Sequence, residues 1–241
     1  MDVSCIILSG PRLPPLHATI RAARRAVARL EEEGGSAEMI LVAQADNASV
    51  AEMGNMAAGA ALRVLILDDK DPVALWLAAA KQARGRFLSF AEAGDMWSSN
   101  WLSDSLRAAR RERRRLSVWR PEMVLVSGRD YFSMHDLHAH LQPQLAKPSE
   151  GAALMMADLY APAFLTHRDV LAAVERPRPD AARGWGDSRA WWAANALVAG
   201  HAHRIVEGTV LYRWDRPPAG PAPVRIGPTP LADASKGGDG R

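Results

Sequence analysis

The stretch Ala78-Ala79-Ala80-Lys81-Gln82-Ala83-Arg84-Gly85-Arg86-Phe87-Leu88-Ser89-Phe90-Ala91-Glu92-Ala93-Gly94-Asp95 decides the fold of this chain. A helix opened by Asp71-Pro72, with proline at its first position, ends at Gly85, and Phe87 to Ala91 is an apolar run of strand length. That strand runs directly into Glu92-Ala93-Gly94-Asp95, where two carboxylates are separated by two small residues. Such a pair at a strand end can hold one hard divalent cation against a diphosphate. The plainer reading makes Asp95 the start of the next helix and Glu92 a solvated loop acid.

The same alternation extends in both directions. Upstream, Val3 to Leu8 reads as a buried strand, and Gly10-Pro11 with Pro14-Pro15 punctuate a loop. Leu16 to Glu33 follows as an amphipathic helix, with Ile20, Ala23, Val27 and Leu30 on one side, arginines between them, and Gly34-Gly35 as its stop. Glu38 to Val42 and Leu62 to Leu67 are further strands, with a helix expected over Asp46 to Ala58. Downstream, Ser98 to Arg115 reads as a helix with Ser98 or Ser99 as N-cap. Strands alternating with helices over the first 115 or so residues predict an α/β fold, a mostly parallel Rossmann-type sheet flanked by helices.

The second half is less regular. Strands are expected at Met123 to Val126, Ala153 to Met156 and His203 to Leu211, and helices near His167 to Val174 and Ser188 to Ala199, a mixed α/β continuation. From Pro217 the composition turns to Pro, Gly, Ala and Ser, which buries too little apolar area to offset its ordering entropy. The expected organisation is one domain over 1–216, with halves at about 1–116 and 117–216, and a flexible tail over 217–241.

Composition narrows the function classes. Of 241 residues, 48% are hydrophobic and 24% charged, which excludes disorder for the bulk of the chain, and no apolar run is long enough to span a bilayer. The start of the chain carries no basic segment followed by a cleavage site, so a cytoplasmic location is expected. A single cysteine, Cys5, rules out an internal disulfide and reads as a buried small hydrophobe. The net charge is +3, with arginine dense between Arg107 and Arg120. A helical arginine cluster with one interleaved aromatic, Trp119, is ordinarily a solvated face, so no nucleic-acid partner is expected. The Arg21 to Arg29 stripe reads as the polar face of its helix, with peripheral contact to an anionic membrane as the alternative.

In an open α/β sheet, ligands sit at the carboxyl ends of the parallel strands. No G-x-G-x-x-G or P-loop sequence follows the first strand, which disfavours hydride transfer and P-loop chemistry. The acids after the later strands are then the sites to weigh: Asp46 after Ala43-Gln44-Ala45, Asp68-Asp69-Lys70-Asp71, and Glu92 with Asp95.

Three segments resemble the family 2 glycosyltransferases, nucleotide-sugar-dependent enzymes of the GT-A fold. They are Val3 to Leu8, the Ala78 to Asp95 stretch, and Asp95-Met96-Trp97-Ser98-Ser99-Asn100-Trp101-Leu102. Arg120-Pro121-Glu122 resembles a His-Pro-Glu that opens a strand in one bacterial branch. Gly184-Trp185-Gly186-Asp187 through Gly200-His201 to Val210-Leu211-Tyr212-Arg213 resembles that family's catalytic acidic segment and the strand that follows it. The likeness covers about residues 3 to 214.

The resemblance implies a nucleotide-sugar donor, a glycan or lipid-linked acceptor, and inverting, metal-assisted transfer in bacterial surface polysaccharide synthesis, at the inner face of the membrane. It assigns Mn2+ or Mg2+ to Asp95 and Glu92, Asp46 to the nucleotide base in place of an acid expected at Ala43, and Asp187 to the general base. The motifs depart from the family pattern. The Asp-x-Asp loop reads Glu92-Ala93-Gly94-Asp95, and the expected Glu-Asp pair falls on Ser188-Arg189. Arginine cannot serve as a base at neutral pH, although its fork suits a departing diphosphate. Two readings follow: an active transferase, or a degenerate one that keeps the fold and binds a partner.

Two other clusters invite attention. Met134 to His140 carries three histidines and an aspartate and reads as a polar surface turn more readily than as a zinc site. Trp191 or Trp192 reads as core, although an aromatic face near Trp185 can stack on a sugar or base. Trp97 and Trp101, four residues apart, are expected to anchor their helix to the sheet.

Overall fold

The structure, a computed structural model, describes residues 1–9, 13–45, 52, 61–112, 116–127, 137–156, 159–174 and 188–214. In chain order its elements are β1 (Val3–Leu8), α1 (Leu13–Glu32), β2 (Ala37–Gln44), β3 (Leu62–Leu67), α2 (Pro72–Gln82), β4 (Phe87–Glu92), β5 (Asp95–Trp97) and α3 (Trp101–Arg111). Then come β6 (Val118–Ser127), β7 (Leu137–Leu141), a 3-10 turn (Pro148–Glu150), α4 (Gly151–Met156), β8 (Phe164–His167), α5 (Arg168–Ala173), α6 (Ser188–Val198) and β9 (His203–Trp214).

The strands form one sheet in the order β3-β2-β1-β4-β8-β6-β9-β5, with β7 paired to β6. From β3 to β4 all neighbours are parallel, as the sequence predicts, and β8 and β5 enter antiparallel. Period-two alternation divides β1 between two cores. Val3, Cys5 and Ile7 face α1 and α3, while Ile6 and Leu8 face α2, α5 and α6. On the second face Trp76 of α2 meets Phe164 edge-on at 5.2 Å, and Trp192 of α6 stacks on Phe164 at 4.9 Å. Trp192 is therefore core. Trp101 is buried on the first face, its indole N–H donating to Ser89 Oγ at 3.1 Å, which anchors α3 as expected, whereas Trp97 belongs to β5 and not to the helix. Cys5 is buried, and burial pushes its thiol far above the usual range.

Several element boundaries differ from the sequence reading, each for a local reason. Pro14-Pro15 lies in the first turn of α1, where a missing N–H costs nothing. Gly85 lies beyond the end of α2 and serves the sheet: a Cβ there would sit 2.3 Å from the Ser4 nitrogen, while its own N–H donates to Ser4 Oγ at 2.8 Å. Ser98 does not cap α3, because its N–H donates to Val210 O at 2.8 Å and its hydroxyl accepts from Val210 N–H at 3.1 Å. Asp95 to Trp97 consequently form a strand, and the helix begins at Trp101. Ala153 to Met156 is helical, continuing a turn whose Glu150 carboxylate accepts from the Ala146 and Lys147 N–H groups at 2.8 Å each. An apolar run of four does not separate helix from strand by itself. His167 ends β8 and caps α5, its Nδ1 accepting from Asp169 N–H at 3.2 Å.

Arg120-Pro121-Glu122 falls inside β6 rather than opening it, at a register shift against β9. The helix expected over Asp46 to Ala58, except for residue 52, the segment around Trp185 and the tail from Pro217 lie outside the described residues. No helix among the described residues is long and apolar enough to cross a membrane.

Candidate functional site

The order β3-β2-β1-β4 reverses direction between β1 and β4, which is where an open α/β sheet has its ligand crevice. Leu8 and Glu92 are register partners at the carboxyl ends of these two strands. The acidic loop thus sits at the switch point. Its turn is tightly held. Ala93 N–H donates to Leu8 O at 2.9 Å, Gly94 N–H donates to the buried Thr19 hydroxyl of α1 at 2.9 Å, and Trp214 N–H donates to Gly94 O at 3.0 Å. Gly94 has φ 110°, a backbone state that side chains rarely tolerate, so glycine at this position is a geometric need.

Asp95 is 1% exposed, and its Oδ2 accepts from Glu92 N–H at 2.8 Å. Across the strand pair β5–β9 it is the register partner of Arg213, whose Nη1 lies 3.5 Å from Asp95 Oδ1. Glu92 reaches two cations: its Oε1 is 3.1 Å from Arg189 Nε and its Oε2 is 3.6 Å from Arg213 Nη2. Arg189 occupies the first turn of α6, where the resemblance places a catalytic acid. The Arg189 and Arg213 side chains keep partial access to solvent, at 27% and 21%, while the atoms that face the acids, Arg189 Nε and Arg213 Nη1, are buried.

Of the residues assigned from sequence, Glu92, Asp95 and Arg189 therefore meet in one cluster. Asp46 and Asp187 lie outside the described residues. Arg213 and Thr19 carry no sequence signal that marks them as site residues. Thr19 gave no signal beyond a polar residue on a helix, and Arg213 gave only its place in the closing Tyr-Arg.

The acid pair as built does not fit a divalent cation. Each of the four carboxylate oxygens already faces a guanidinium or an N–H, and Asp95 is shut away from the solvent that would bring a hydrated ion. Among the described residues no group of three metal-ligating side chains is found. His138 and His140 are exposed on β7, and His135 lies outside the described residues.

A second polar cluster lies further along the sheet. Arg120, 3% exposed, lies over the Tyr160 ring at 4.4 Å and the Phe164 ring at 4.9 Å and donates to Ala161 O at 2.8 Å. Its Nε faces His203 Nδ1 at 3.4 Å, while His203 Nε2 lies 3.0 Å from Ala193 O. These partners select the neutral tautomer with hydrogen on Nε2. Burial, reinforced by the Arg120 charge, lowers the His203 pKa to about 3. Of the arginine run, Arg107 pairs with Asp104 and Glu33 at 2.7 Å each, and Arg110 pairs with Asp2. Those contacts tie α3 to the start of the chain and to the end of α1.

No protein-family model matches this chain, and no curated protein matches it in sequence. Solved structures do match. The S. aureus TarS fragment 1–349 in complex with UDP-GlcNAc superposes with a TM-score of 0.61 at 15% identity, covering 90% of this chain and 59% of that one. The fold is a glycosyltransferase fold. The same TarS fragment with UDP gives 0.59 at 15% identity, covering 89% of this chain and 60% of that one. Longer TarS gives 0.59 at 14% identity, with 89% and 37% covered. The chain thus spans less than two thirds of each of these TarS structures, and identities this low establish the fold alone.

Proposed function

We propose that the crevice at the carboxyl ends of β1 and β4 binds a nucleoside diphosphate sugar, and that the chain transfers this sugar to a hydroxyl of a glycan or lipid-linked acceptor. One observation carries the reading. The Glu92, Asp95, Arg189 and Arg213 cluster stands at the switch point of a glycosyltransferase fold, and TarS, which shares that fold, is solved in complex with UDP-GlcNAc.

In this reading the acceptor oxygen attacks the anomeric carbon, the bond from that carbon to the diphosphate oxygen breaks, and its electron pair leaves with the diphosphate. The acceptor proton passes to Asp187, directly before α6, and the configuration inverts. Arg189 steadies the developing charge on the diphosphate. Asp46 contacts the nucleotide base. Surface polysaccharide synthesis at the cytoplasmic face of a membrane is the setting this chemistry suits.

Arg189 also favours a second reading. A guanidinium stands where the resemblance places a catalytic carboxylate, which suits a protein that keeps the donor crevice and has lost transfer. Thermal unfolding against UDP-, GDP- and dTDP-sugars tests donor binding, since a ligand at 100 times its Kd stabilises by about 2.7 kcal/mol. A transfer assay with Asp187→Asn then separates the readings. Turnover abolished by this change supports the transferase, and a donor that binds without turnover in the natural chain supports the degenerate protein.

A further inference from the structure

We infer that the guanidinium groups of Arg189 and Arg213 take the place of a divalent cation, so that this crevice binds a nucleoside diphosphate without metal. The inference rests on the nucleotide-sugar reading above and specifies how the diphosphate is held.

Charge and geometry point the same way. A divalent ion between two carboxylates brings two positive charges to the loop, and two guanidiniums bring the same two. They are held by the chain itself, 3.1 to 3.6 Å from Glu92 and Asp95. Their positions come from independent parts of the fold. Arg213 is placed by the β5–β9 register and by the Trp214 N–H to Gly94 O bond at 3.0 Å, and Arg189 by the first turn of the 11-residue helix α6.

The acids hold Arg189 Nε and Arg213 Nη1 on the buried side, and the two side chains keep partial access to solvent. Asp95 is nearly sealed at 1% exposure, whereas Arg189 and Arg213 are 27% and 21% exposed. Of the four side chains only Asp95 is closed to an anion arriving from solvent, and Glu92, at 17%, is less exposed than either arginine. Planar N–H donors match phosphate oxygens in pairs, which an ammonium or a lone backbone N–H does not achieve. The N-terminal end of α6 adds a partial positive charge beside Arg189.

The decisive experiment is calorimetric titration of the purified full chain with UDP and with uridine, each in excess EDTA and in excess manganese. UDP is expected to bind equally well in both buffers. Arg213→Gln and Arg189→Gln are each expected to weaken UDP by about tenfold or more while leaving uridine, which carries no phosphate, unchanged. UDP binding that appears only with manganese overturns the inference and leaves the nucleotide reading intact. So does UDP affinity that both arginine variants retain. Absence of uridine and UDP binding in every buffer overturns the nucleotide reading and the inference with it. The EDTA comparison uses the unaltered chain, so its outcome does not depend on the variants folding.

Discussion

Asp95 and Arg213 are partners on adjacent antiparallel strands, and their side chains meet at 3.5 Å with the carboxylate almost fully buried. Opposite residues on such a pair share one face of the sheet, so the ion pair is a consequence of register. Removing the cation strands a buried charge: Arg213→Met is expected to lower stability by about 3 kcal/mol. Asp95→Asn combined with Arg213→Met should cost less than the sum of the single changes, by about 1 kcal/mol or more of coupling. Urea unfolding of the four proteins in the cycle measures it, and strict additivity would refute the pairing.

His203 predicts an acid-labile step. Its folded pKa is lowered to about 3 from 6.5 by burial and by Arg120, so below pH 6.5 the unfolded chain binds a proton that the folded chain refuses. The stability this histidine confers is complete above that pH. It falls by about 1.4 kcal/mol per pH unit as the pH drops toward 3. His203→Gln should flatten this slope in unfolding midpoints taken across the window.

Gly85 predicts a steric limit. A methyl group there meets the backbone of Val3 and Ser4 at 2.3 to 2.5 Å, so β1 and β4 must separate to admit it. Gly85→Ala is expected to destabilise by about 3 kcal/mol, seen as a lower midpoint in thermal unfolding. A midpoint unchanged from the parent would mean that the close approach is wrong.

Thr19 predicts a link between packing and the site. Thr19→Val keeps the shape but deprives Gly94 N–H of its acceptor, at a cost of about 1–3 kcal/mol. Because Gly94 lies between Glu92 and Asp95, donor affinity should fall as well, measured by the same UDP titration. Stability lost with affinity kept would confine Thr19 to a structural role.

Glu38 predicts a second pH effect, of the same sign. Despite burial that opposes ionisation, hydrogen bonds from the Ser4 hydroxyl at 2.6 Å and Arg84 N–H at 2.5 Å, with the Arg63 and Arg84 charges, hold its carboxyl below the usual range. Its contribution is present above the ordinary carboxylate range and is lost as pH falls through the lowered value. Glu38→Gln should lower stability above that range and remove that part of the acid sensitivity, so that the two proteins converge as the pH falls, measured by unfolding midpoints across the window.

The parallel half of the fold was legible because its signals are local. Val3 to Leu8, Leu62 to Leu67 and Phe87 to Ala91 are apolar runs of strand length between turn residues, and Asp71-Pro72 carries both the cap and the proline of a helix start. The acidic loop followed from its position after β4. The antiparallel half was less legible, since Ala153 to Met156 fits either period and Ser98 is a good cap until β9 claims it.

The sequence by itself determined the α/β class, the strand whose end leads into Glu92 and Asp95, and the unusual arginine after Asp187. Only the tertiary structure decided what those acids face. Arg213 lies 118 positions beyond Asp95 and Arg189 97 beyond Glu92, and no local periodicity encodes a contact across such distances. Sheet register brings Arg213 to Asp95, since β5 pairs with β9 through backbone hydrogen bonds and alternation then fixes which side chains share a face, while the packing of α6 brings Arg189 to Glu92.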